Sequence, residues 1–115
     1  MITGFRQKHI EEVFRTPIVQ QTAFWSEVKR RMGIGSIACN FRVPEADISE
    51  SYDGNRTITS DMLVVLRQVD SNNSIAYVPY GPELEPHDES GGVFLEELSE
   101  CLRSVLPADC FMIRY

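Results

Sequence analysis

The chain has 115 residues and a mass of 13.1 kDa, with 43% hydrophobic and 24% charged residues, which fits one folded domain spanning residues 1–115. That apolar content excludes a disordered chain, and no run approaches the roughly 20 consecutive apolar residues of a membrane-spanning helix. The net charge of −6 is divided unevenly, with seven basic and three acidic residues in 1–43 against four and fourteen in 44–115.

An autonomous nucleic-acid binder carries a basic excess, because neutralised phosphates supply much of its affinity. This chain does not. Lys29, Arg30 and Arg31 form either a local anion-attracting spot or one solvated helix face. Lys8, Glu11 and Glu12 interrupt any secretory leader. Cys39, Cys101 and Cys110 lie in apolar segments without close spacing, so they read as reduced core residues of a cytoplasmic protein.

In chain order, Phe5, Ile10, Val13 and Phe14 recur at roughly helical spacing, which predicts a first helix ended by Thr16-Pro17. A second helix starts near Thr22, whose hydroxyl can cap it, and stops at Gly33 and Gly35. Phe24, Trp25, Val28 and Met32 form its apolar side. Ile37, Cys39, Phe41 and Val43 then alternate with smaller or polar residues, as in a half-buried strand. Residues 44–59, with Pro44 and Asp53-Gly54-Asn55, read as a long hairpin connection. Met62 to Leu66 is an unbroken apolar run, hence a strand buried on both faces. Asp70 to Ser74 is a turn, and Ile75 to Val78 is the next strand.

A third helix is predicted from about Gly91 to Leu106, with Asp88, Glu89 and Ser90 supporting its start. Cys110 to Ile113 is a last strand, able to pair in parallel with its predecessor after the helical crossover. The expected fold class is therefore α/β (α+β): a mixed, mostly antiparallel sheet flanked by helices. This is also the order of an N-acetyltransferase-like fold.

Chemistry-bearing residues are few. His9 and His87 have no second ligand at a useful spacing, so neither metal nor other cofactor is expected. No nucleophile elbow, active-cysteine signature, Walker loop or Gly-x-Gly-x-x-Gly occurs, and no catalytic residue is assigned. Asp61 and Glu83 qualify as general bases by residue type only. An acyl-CoA loop after Val78 would be glycine-rich and basic, whereas residues 81–86 read Gly-Pro-Glu-Leu-Glu-Pro.

Two segments stand out, Gln21 to Lys29 and Ala76 to Pro82. Trp25 on an amphipathic helix reads as a core anchor. Lys29, four residues later, can lay its stem along the ring and keep its ammonium free for solvent or a phosphate. Pro79-Tyr80-Gly81-Pro82 is a rigid turn at a strand end, a structural corner or the border of a ligand cleft.

The pattern Gln21-Thr22-x-x-Trp25-x-x-x-Lys29 resembles the Gln-Ser-x-x-Trp-x-x-x-Lys stretch of Fem-type aminoacyltransferases, the peptidoglycan bridge-forming enzymes. Tyr77-x-Pro79-x-Gly81-Pro82 is similar to their Tyr-x-Pro-Arg-Gly-Pro turn, and Phe111 to Tyr115 to the strand that follows. The resemblance implies an enzyme of two N-acetyltransferase-like halves, of which this chain is the N-terminal one. It implies transfer of an amino acid from aminoacyl-tRNA to the stem peptide of a UDP-linked or lipid-linked muramyl peptide, in cell-wall biogenesis. Lys29 would meet the precursor's diphosphate, with Trp25, Tyr80 and Gly81 beside the substrate. Aminoacyl-tRNA would be held by the other half, and a lipid-linked precursor would bring peripheral membrane contact.

Two departures qualify these expectations. Tyr80 stands where the family has arginine, and the sequence stops at Tyr115, where the family continues with Asp-x-Pro-Trp. The chain alone is therefore expected to show no turnover. A related acyltransferase using acyl-CoA on sugars or envelope polymers, and a noncatalytic interaction module, are the alternatives.

Overall fold

The computed structural model describes residues 1–13, 18–48, 56–84 and 86–115. Strand β1 (Thr3–Lys8) is followed by helix α1 (Ala23–Arg31), strands β2 (Gly35–Pro44), β3 (Thr57–Asp70) and β4 (Asn73–Tyr77), helix α2 (Asp88–Arg103) and strand β5 (Cys110–Arg114). Short 3₁₀ turns occupy Ile10–Glu12, Val19–Gln21 and Glu45–Asp47. The five strands form one α+β sheet in sequence order, with the first three pairings antiparallel and β4–β5 parallel. The crossover through α2 makes that last pairing possible, as its length anticipated. No helix among the described residues is long and apolar enough to cross a membrane.

The core lies between the sheet and α2. Alternation sends Cys39, Phe41 and Val43 of β2 and Met62 and Val64 of β3 to this face, where Phe94, Leu98 and Leu102 of α2 meet them. Phe41 and Phe94 pack with ring centroids 6.2 Å apart. On the opposite face, Ala38 and Leu63 are covered by Val13 and the half-buried Trp25. Met62 to Val65 are all buried, so β3 has two covered faces, as its unbroken apolar run predicted.

Three expectations change. The first helix, expected from Phe5 to Phe14, is instead strand β1 and a 3₁₀ turn; Phe14 and the Thr16-Pro17 stop lie outside the described residues. Arg6, Gln7 and Lys8 pair with Asn40, Cys39 and Ala38, and cross-strand pairing overrides a loose helical spacing. Of the supposed apolar side of α1, Phe24 and Met32 are 65% and 64% exposed. The buried side of this nine-residue helix carries Ser26, which hydrogen-bonds Ser36. Finally, β3 runs fourteen residues rather than five, because Thr57 to Asp61 continue the ladder with β2. The Asp53-Gly54-Asn55 turn lies outside the described residues.

Candidate functional site

Tyr77 ends β4, and the chain turns immediately. The Gly81 N–H donates to the Val78 carbonyl at 3.0 Å, with Pro79 and Tyr80 at the two central positions. Tyr80 has φ +60° and Gly81 φ +71°. Proline first, positive φ second and a closing 4→1 bond is the pattern of a type II turn, in which the second central position favours glycine. Tyr80 occupies it at a cost of about 1–2 kcal/mol and is 73% exposed. Gly81 continues the left-handed backbone without that cost.

This turn walls a cavity of about 480 Å³. Phe94 and the half-buried Ile18, Leu84, Leu95 and Tyr115 make its apolar side, and Tyr80, Glu83 and Asp88 its exposed rim. It opens at the carboxyl ends of the parallel strands β4 and β5, beside the first turn of α2. Tyr115 donates to or accepts from the Ser99 hydroxyl at 2.9 Å, and burial pushes its phenol up.

The other sequence-selected residues sit on α1. Thr22 caps the helix, its hydroxyl accepting from the Trp25 N–H at 3.4 Å. Trp25 packs on Val13, Ala38 and Leu63, and the Lys29 ammonium lies 5.1 Å from the centre of its ring. Arg30 and Arg31 both donate to Glu27, at 2.7–3.2 Å, and hold its carboxyl at about 2. Lys29 has no carboxylate partner among the described residues, so of the three adjacent cations it is the unpaired one.

Tyr80 and Gly81 thus line the cavity, whereas Trp25 and Lys29 do not. What joins the two groups is Gln21, a residue the sequence offered only as the first letter of a motif. It is 1% exposed. Its carbonyl accepts from the Leu63 N–H at 2.8 Å, while its amide donates to the Leu63 carbonyl at 3.3 Å and the Pro79 carbonyl at 2.9 Å. Gln21 therefore pairs with β3 much as a strand would, and ties the start of α1 to the turn.

The remaining candidates are engaged elsewhere. Asp61 accepts from Lys8 at 2.8 Å and Asn40 at 2.9 Å, on the α1 side of the sheet. Burial pushes the Cys39 thiol up to about 12, which suits core packing rather than nucleophilic attack, whereas Cys101 and Cys110, expected in the core, are only half-buried; partial burial and the Glu97 and Glu100 carboxylates raise Cys101. No family model, curated protein or solved structure matches this chain.

Proposed function

We propose that this chain is the precursor-binding half of a Fem-type aminoacyltransferase, with an N-acetyltransferase-like arrangement of sheet and helices. The observation carrying this reading is the Gln21–Pro79 hydrogen bond. It makes one body of the two motifs that resemble the family, although their bonded residues lie 58 positions apart. The meander of β2 to β4, followed by a helical crossover into a parallel fifth strand, supports the fold assignment.

Lys29 is the cation offered to the diphosphate of a UDP-linked or lipid-linked muramyl peptide. Trp25 supports its stem, and Glu27 does not compete for it because Arg30 and Arg31 already occupy that carboxylate. A compact ammonium suits a point contact with phosphate oxygens. In the complete enzyme an amine of the stem peptide attacks the aminoacyl ester. The C–N bond forms, the ester C–O bond breaks, the tRNA hydroxyl leaves and the amine loses a proton. Asp61, already bonded to Lys8, is poorly placed to take that proton.

Isothermal titration with a UDP-linked muramyl pentapeptide tests this. Binding is expected, weakened about tenfold by Lys29→Ala, the loss of one charge-assisted contact. No heat, or equal affinity of the variant, overturns it. CoA is expected not to bind, since Glu83 and Asp88 rim the cavity where its phosphates would approach; tight CoA binding would select the acyl-CoA reading instead. A second reading, a noncatalytic interaction module, draws on edge strand β5, where Phe111 and Met112 are 62% and 44% exposed. A stable dimer without ligand response would favour it.

A further inference from the structure

The cavity beside Tyr80 has a chemical character that does not depend on Lys29. Its deeper wall is apolar, and among the described residues no Lys, Arg or His lines it. Pro82 and Pro86 belong to the lining, and proline has no N–H to offer an anion. The N-terminus of α2 contributes about half a positive charge. Asp88 and Glu89 in its first turn outweigh that, and Glu83 adds a third carboxylate nearby in the lining loop. Neither Glu83 nor Asp88 is in an ion pair among the described residues. The Tyr80 ring stands exposed at the same rim, and the face of an aromatic ring attracts cations.

We infer that this cavity binds an alkylammonium ligand. The apolar chain lies against Phe94, Leu95 and Leu84, and the protonated amine sits at the rim between Glu83, Asp88 and Tyr80. The size fits, since pockets of about 300–1,000 Å³ hold small organic ligands. A hard metal cation is the poorer match, because it requires about six oxygen ligands and the wall here is hydrocarbon. A phosphate or carboxylate ligand meets the Glu83 and Asp88 carboxylates, and among the described lining residues no charged donor compensates them. This inference stands apart from the proposed function and survives if Lys29 has no role.

The test is a chemical-shift titration of the ¹⁵N-labelled chain with n-hexylammonium, hexanol and hexanoate, three probes of matched length that differ in charge. Hexylammonium is expected to shift the amides of Gly81, Gly91 and Leu95 and to bind roughly threefold or more tightly than hexanol. Hexanoate is expected to be the weakest. The double variant Glu83→Gln, Asp88→Asn should reduce hexylammonium to the level of hexanol, while Lys29→Ala leaves the order unchanged. Hexanoate binding as well as hexylammonium, an unaltered double variant, or no shift with any probe would each overturn the inference. The ranking of probes on the unsubstituted chain needs no variant, so a misfolded variant cannot mask the answer.

Discussion

Gln21 shows how one polar side chain can hold two segments in place. A buried amide is tolerated only when its hydrogen bonds are made, and Gln21 makes three, all to backbone groups. Gln21→Ala removes the partners of the Leu63 N–H and the Pro79 carbonyl without admitting water easily. We expect a loss of about 3 kcal/mol in urea unfolding. A loss below about 1 kcal/mol would mean that the turn and α1 are docked by other contacts. Leu63 itself is legible as core from its apolar run, but a buried glutamine gives no such signal. Its neighbours in sequence, Gln20 and Thr22, are equally polar.

At the scale of elements, α1 is a short helix whose outward side is stabilised by charge. The Arg30 and Arg31 guanidiniums, chiefly through hydrogen bonds, lower the Glu27 carboxyl from 4.5 to about 2. A carboxylate depressed in the folded state contributes stability that is fully present above its ordinary pKa and lost as pH falls through the folded one. The contribution of this pair is therefore expected to fade between pH 4.5 and about 2. Carbon-detected titration of the Glu27 side chain checks it, and a midpoint at the ordinary carboxylate value would refute the pairing. Helix α2 differs because its stability comes from burial. Phe94, Leu98 and Leu102, spaced by four residues, are fully buried against the sheet.

Across the whole molecule, charge is sorted by face. Pairing register puts Arg6, Lys8, Arg42, Arg67 and Arg114 on the same side of the sheet as α1 with Lys29, Arg30 and Arg31, which is eight of the eleven Lys and Arg. Five carboxylates, Asp88, Glu89, Glu96, Glu97 and Glu100, belong to α2 on the other side. The proposed anionic precursor would meet local attraction at this face, offset in part by Glu27 and Asp61, on a chain of net charge −6. Its affinity is expected to fall as salt rises from 0.05 to 0.5 M, as the Debye length shrinks from about 14 to about 4 Å. An affinity rising with salt would show that overall repulsion dominates and that the α1 face is not where the anion binds.

The strands β2 to β5, α2 and the turn after β4 were legible because each writes its own period or punctuation locally. Alternation, a four-residue apolar repeat and proline–glycine corners need no knowledge of distant partners. Lys29 and Tyr80 lie in the two segments that local chemistry singled out, and their proposed site roles rest on the family resemblance. Strand β1 was not legible, since an edge strand is defined by the neighbour it hydrogen-bonds, and Phe5 to Lys8 alone fit either period. The exposure of Phe24, the tether from Gln21 to Pro79, the acidic apolar cavity and the sorting of charge between faces all depend on which segments come to lie side by side. Such pairings are non-local free-energy terms, and only the folded arrangement decides among them.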